Sequence, residues 1–176
     1  GIRDYKVTGV QTCALPISLS ATLDLSRDMK ENILLIADQS SHLLPDSSYS
    51  SKMYEFVKSQ YESGITWEEA RDNIYNRYQV KSEDGYDITS KNLYCNGCFA
   101  AGINFAASLI SLFWGEGDLK ETIKIGTLTG WDSDNPTSTW GGLIGFIIGK
   151  EGVEREFDTI FRSEEHTSEL QSPCNL

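Results

Sequence analysis

The stretch Cys98–Trp114, CFAAGINFAASLISLFW, limits the fold more than any other part of this chain. Its apolar residues do not fall on one stripe but surround the helix axis, and a helix of that kind is stable only when other elements cover it on all sides. Asn96–Trp114 therefore reads as the central helix of a helical core. Asn104, Ser108 and Ser111 interrupt the run. Neither this run nor Leu143–Ile148 reaches the roughly 20 apolar residues of a membrane-spanning helix, so the expectation is a soluble protein.

The rest of the chain repeats the helical period. Asp28–Ser41 places Met29, Ile33, Leu34, Ile36 and Ala37 at helical spacing before Pro45, and Asp46–Ser51 reads as a polar turn cluster. Lys52–Ser63 reads as a second helix with Gly64 just past its end, where a left-handed glycine closes helices. Thr66 followed by Glu69 is the pattern of a capping box, opening a third helix through Ala70, Ile74 and Tyr78. Lys81–Lys91 reads as a loop. Asp118 caps a fifth helix, Leu119–Gly126, and Pro136 suits the first turn of a sixth. No segment alternates with period two, so the expected class is all-α.

The two ends stand apart. Residues 162–172, RSEEHTSELQS, can be back-translated so that the antisense strand encodes residues 7–17, VTGVQTCALPI. The complementarity continues from residues 173–176 into residues 4–6. Protein termini have no physical reason to be antisense to each other. Residues 1–17 and 162–176 are therefore expected to be translated sequencing-adapter sequence, with residues 18–161 a native piece open at both ends. Cys13, Cys174 and His166 then drop out of the chemistry, leaving His42, Cys95 and Cys98. With those ends open, no targeting signal can be read.

The chain carries 15 basic against 26 acidic residues, a formal charge of −11. That balance lacks the cationic footprint of a nucleic-acid binder and does not suit an anionic membrane surface. It does suit hard cations. Two cysteines are too few for a disulfide framework, which leans toward a reducing, cytoplasmic compartment without fixing localisation.

Oxygen donors concentrate in Gly130-Trp131-Asp132-Ser133-Asp134-Asn135-Pro136-Thr137. Two carboxylates two residues apart converge on one cation when the backbone curls, and Mg²⁺, Mn²⁺ and Ca²⁺ favour such sets. The helix after them starts with free N–H groups that favour a phosphate. Asp132 and Asp134 could equally do no more than cap that helix, and local pattern leaves both readings open. An EF-hand loop fails, because Thr137 and Leu143 stand where glycine and glutamate are needed. An Asp-x-Asp-x-Thr phosphatase motif fails at Pro136. Downstream, Gly141, Gly145 and Gly149 form a stripe, which implies another backbone packed close against that face.

The run GWDSDNPTSTWGGLIGFIIGKEGV, preceded by FAASLISLFWGEGDLKETIKIGTLTG, resembles the C-terminal motif of the ADP-ribosylglycohydrolase family, which includes the dinitrogenase-reductase-activating glycohydrolases. The resemblance spans about Asn96–Val153 and is fainter over Asp28–Tyr78. It implies a multi-helix all-α fold, here truncated, that binds two divalent cations, Mg²⁺ or Mn²⁺. It implies hydrolysis of the glycosidic bond between ADP-ribose and a protein side chain or related acceptor. The partner would be an ADP-ribosylated protein or a small ADP-ribosyl compound. Asp132, Asp134 and Asn135 take the places of the family's metal ligands, the two aspartates being the catalytic pair. Asn135 stands where threonine is commoner. The family's other metal-binding cluster, of Thr-Asp-Asp type, has no counterpart in residues 18–161. A piece without it is expected to bind metal poorly and show no turnover.

Asn96 and Gly97 resemble a family loop that approaches the ligand. Trp131 and Trp140 flank the acidic turn; one could stack on a base or ribose, with Trp140 the better candidate for the core. Cys95 and Cys98 have CxxC spacing, but zinc needs two more ligands and a redox site a thioredoxin-like context, so they read as packing residues. His42 reads as a helix-end residue. The alternative from another class is a non-catalytic ADP-ribose binder or crystallin-like structural relative, and a generic metal phosphohydrolase comes third.

Overall fold

Polar side chains fix where the first helices begin. In a computed structural model that describes residues 26–160, the Asp28 carboxylate accepts the Glu31 N–H at 2.7 Å and opens α1, Met29–Ser41. Ser48 does the same for Ser51 at 3.1 Å and opens α2, Tyr49–Glu62. The predicted turn cluster thus lends its last residues to the helix, which begins three residues before the expected Lys52. Thr66 and Glu69 form the expected capping box at the head of α3, Trp67–Ile74. The chain then continues through a π-helical turn, Tyr75–Val80, and three short 3₁₀ turns, Glu83–Gly85, Ile88–Lys91 and Tyr94–Asn96. The last helices are α4, Ala101–Gly115; α5, Leu119–Thr129, capped by Asp118; and α6, Asp134–Phe157.

The described residues hold no strand, and the fold is all-α as expected. No helix among them is long and apolar enough to cross a membrane. The expectations for residues 1–17 and 162–176 fall outside the described residues. The chain divides into two compact units between Ile144 and Gly145.

In the first unit, α4 is the centre. Every residue from Gly102 to Phe113 is buried, and α2, α3 and α5 pack around it. Gly115 admits the closest approach. A Cβ there would lie 2.8 Å from the Thr122 Cα, so only glycine lets α5 come in at that height. Aromatic edges fill the next shell: Phe56 and Tyr86 each meet the buried Tyr78 ring at 6.0 Å, and Tyr61 stacks on Phe113 at 5.6 Å. Trp140, buried as expected for a core residue, anchors the start of α6 by donating its indole N–H to the Ser108 carbonyl at 2.7 Å.

Two expectations fail. The central helix begins at Ala101 rather than Asn96, because Cys95 and Gly97 sit at φ 44° and 74°, outside any right-handed helix. Among the described residues the glycine stripe meets no close backbone. A Cβ on Gly141 would touch only the Ile123 side chain at 3.5 Å, and one on Gly142 nothing within 4 Å. In the second unit Gly145 faces Val153 at 3.5 Å, and Gly149, at φ 71°, breaks the helical course of α6.

Arg77 ties the turn after the π-helical segment to the core through ion pairs with Glu83, at 2.8 Å, and Asp84. Arg77 lies 4.5 Å over the Phe56 ring and donates to Asp84 at 2.9 and 3.2 Å, while the Tyr78 hydroxyl donates at 3.1 Å. The guanidinium holds the Asp84 carboxyl below its usual 3.8. A carboxylate whose folded-state pKa is depressed stabilises the fold fully above its unfolded value, and that contribution disappears as pH falls through the folded value. Asp84→Asn, which keeps a side chain tolerant of the φ of 59° at this position, is expected to cost about 1–2 kcal/mol at neutral pH. Denaturant unfolding followed across the acid limb checks this: the variant loses less stability there than the parent chain.

Candidate functional site

The acidic turn hangs between α5 and α6 on two tethers. Thr129 ends α5 with its hydroxyl donating to the Ile125 carbonyl at 2.6 Å. Gly130, at φ 96°, then reverses the chain, and Trp131 follows at φ 54°. A bulky residue in left-handed conformation is uncommon and persists where surrounding contacts determine it. Here they do. The Trp131 indole N–H donates to the Gln79 side-chain oxygen at 2.6 Å, and the next backbone N–H, that of Asp132, donates to the Asn104 side-chain oxygen at 2.9 Å.

Asn104 is buried in α4 and uses its other end as well. Its amide nitrogen donates to the carbonyls of Cys98 at 2.9 Å and Ala100 at 3.1 Å. One side chain therefore joins the loop entering α4 to the turn leaving α5.

Beyond this anchor the chain curls into α6. The Asn135 N–H donates to the Asp132 carbonyl at 3.1 Å, and Pro136 lies in the first turn, where no intrahelical N–H is needed. Asp132, Asp134 and Asn135 are all exposed. The Asp132 carboxyl is pushed above the usual carboxylate range, chiefly by its contact with the Asp134 carboxyl, and burial adds in the same direction. Among the described residues neither carboxylate accepts a backbone N–H, unlike Asp28 and Asp118, each of which takes one at 2.7 Å. The pair is spent on itself rather than on the helix.

Asp132 and Asn135 also line a pocket of about 120 Å³ with Phe99, Ala101, Asn104, Phe105 and Ser108. At about 30 Å³ per liquid water, that is room for about four waters or part of a sugar. It is below the roughly 300–1,000 Å³ of complete small-molecule sites. Two carboxylates with solvent beside them suit one hydrated cation of the Mg²⁺ or Mn²⁺ kind, which commonly takes one or two protein carboxylates and keeps several waters. No group of three or more His, Cys, Asp or Glu side chains that could hold a metal occurs among the described residues.

The other residues singled out in the sequence fare differently. Trp131 spends its N–H on Gln79. Asn96 lies in the Tyr94–Asn96 turn and Gly97 follows it. Gly97 is buried at φ 74°, and a Cβ there would lie 2.4 Å from an Ile88 methyl, so its glycine is demanded by the loop itself. Cys95 and Cys98, read from spacing as separate packing residues, are joined in a disulfide with Cα atoms 5.4 Å apart.

Asn104, Phe99, Phe105, Ser108 and Gln79 were not marked as site residues from sequence. Asn104 and Ser108 carried a signal as polar interruptions of the apolar run, Asn104 the stronger as the lone amide in it, since such a group needs a buried partner. No family model, curated protein or solved structure matches the chain.

Removing the Asn104 side chain strands the Cys98 carbonyl and the Asp132 N–H in a partly buried setting. Asn104→Ala is expected to lower the unfolding free energy by about 2 kcal/mol, the cost of leaving buried polar groups unpaired. Equilibrium urea unfolding checks this, and a loss within the roughly 0.5 kcal/mol of ordinary surface changes contradicts it.

Proposed function

We propose that this chain carries part of the metal site of a hydrolase like the ADP-ribosylglycohydrolases, acting on an ADP-ribosylated protein or small ADP-ribosyl compound. The observation that carries the reading is the Asp132–Asp134 carboxyl contact at the edge of the Phe99–Phe105 pocket, together with the motif resemblance. Asp132 and Asp134 would hold a divalent cation, with the Asn135 carboxamide adjoining. Such a cation supplies Lewis-acid charge that orders ribose hydroxyls and activates water for attack at the anomeric carbon.

The chain's own residues supply position and surroundings. Asn104 fixes the backbone at Asp132, and Gln79 fixes Trp131, so the carboxylate pair is presented from a turn that is held at two points. Phe99, half exposed, and Phe105, buried, give the pocket an apolar wall against which a sugar face can lie. Asp132 is placed to accept hydrogen bonds from hydroxyls or water inside it.

A non-catalytic ADP-ribose binder or crystallin-like structural relative is the second reading, and it is favoured by the lack of a third convergent ligand among the described residues. For the same reason the chain by itself is expected to bind metal weakly and to release no ADP-ribose.

Asp132→Asn and Asp134→Asn separate these readings. Each relieves the like-charge contact, so each variant should melt higher than the parent chain in chelator-treated buffer. Each should also weaken the Mn²⁺-dependent rise in melting temperature, with apparent affinity falling by at least about tenfold. Thermal unfolding with and without Mn²⁺ reads both effects. Mn²⁺ binding that ignores both substitutions, or turnover by this chain alone, overturns the proposal. ADP-ribose binding that strengthens with Mn²⁺ favours the enzyme-type site over a structural relative.

A further inference from the structure

The loop that leads into α4 is closed on itself by the Cys95–Cys98 bond, and hydrogen bonds run from it to the acidic turn without a gap. The Cys98 carbonyl accepts from the Asn104 amide at 2.9 Å, and the Asn104 oxygen accepts from the Asp132 N–H at 2.9 Å. We propose that the Cys95–Cys98 pair is a thiol–disulfide exchange site whose oxidised form holds the Asp132 turn in place through Asn104, and whose reduction releases it.

Three observations carry this. Cys95 is exposed and Cys98 half-buried, so an outside thiol can reach the bond. Cys95, inside the cross-linked ring, stands at φ 44°, a left-handed conformation that side-chain-bearing residues adopt at a cost and that the cross-link helps to enforce. The Cys98 carbonyl is the nearer of the two acceptors of the Asn104 amide, with that of Ala100 the other, so a change at the Cys98 Sγ is two hydrogen bonds from the Asp132 backbone. The all-α setting is not that of a thioredoxin-like catalyst, which leaves the pair as a regulatory clasp rather than a redox active site.

The reductant is a dithiol. One of its thiolates attacks the Cys95 sulfur, the Cys95–Cys98 bond breaks, and Cys98 leaves as a thiolate that takes a proton. The second dithiol sulfur then attacks its partner in the mixed disulfide, and Cys95 leaves and is protonated. Two electrons and two protons pass to the chain, and the dithiol becomes a disulfide.

Its consequence for metal binding rests on the proposed metal reading; the coupling to the turn does not. Hydrogen exchange of the Asp132 amide in the full chain tests the coupling with no metal present. Dithiothreitol is expected to speed that exchange by about tenfold, the factor given by loss of one net hydrogen bond, and reoxidation restores the slow rate. A Cys95→Ser/Cys98→Ser chain should exchange fast with or without reductant. In Asn104→Ala the exchange should be fast and indifferent to reductant. Equal rates in the oxidised and reduced chain overturn the proposal. So does a reductant response that persists in Asn104→Ala, or a collapse of the whole helical circular dichroism signal on reduction. Mn²⁺ binding read alongside keeps the two ideas apart: no binding in either redox state sinks the metal reading and leaves the clasp, whereas equal exchange rates sink the clasp alone.

Discussion

Asn104 lies in the first turns of a helix whose residues from Gly102 to Phe113 are all out of water, and an amide in that position must find partners at both ends. Left unpaired it would cost about 1–3 kcal/mol. The partners it takes are the Cys98 and Ala100 carbonyls on one side and the Asp132 N–H on the other. The need to satisfy one buried side chain therefore decides where two otherwise separate stretches meet. The loop before α4 is drawn in over the helix end, and the turn after α5 is drawn down onto the same point. The pocket is what remains between them, with Asp132 and Asn135 on one side and Phe99 and Phe105 on the other.

Much of the helical layout was legible in the sequence because its signals are local. A cap needs only an oxygen acceptor three residues before a free N–H, and Thr66 and Asp118 both sit at that spacing. The start of α4 was misread for the opposite reason. Cys95 through Ala100 is apolar enough to continue the helix outward, and only the disulfide and the left-handed Cys95 and Gly97 stop it. Those are tertiary facts, invisible to periodicity. The glycine stripe misled in the same way: spacing suggested a packed face, whereas Gly149 serves a break in the helix and Gly141 meets one isoleucine.

The candidate site divides along the same line. Asp132 and Asp134 stood out because carboxylates two residues apart on a turn have a short list of uses. Phe99 and Phe105 gave no sign, since apolar residues in such a run look alike whether they face a neighbour or a pocket. The Gln79–Trp131 bond joins residues 52 apart in sequence, and nothing local marks either as the other's partner. Asn104 was visible as an interruption of the apolar run, and the physical question it raised, what satisfies a buried amide, leads straight to the acidic turn.

The helix starts of this chain supply an internal comparison for what that turn is built to do. At α1, α2, α3 and α5 a side-chain oxygen accepts the N–H three residues on, at 2.7, 3.1, 3.2 and 2.7 Å respectively. At α6 two carboxylates stand where either could do the same, and among the described residues neither does. The Asp134 carboxyl instead raises the proton affinity of its neighbour Asp132. A turn held by two side-chain hydrogen bonds, with a tryptophan at positive φ, keeps like charges together when separating them would stabilise the chain. The conformation at Trp131 is met by the hydrogen bonds to Gln79 and Asn104; the repulsion at Asp132 is what the proposed cation would relieve, because like charges that repel without it are both attracted to it. The same reasoning makes the proposed tie to the Cys95 loop consequential, since whatever loosens Asn104 lets the carboxylates move apart.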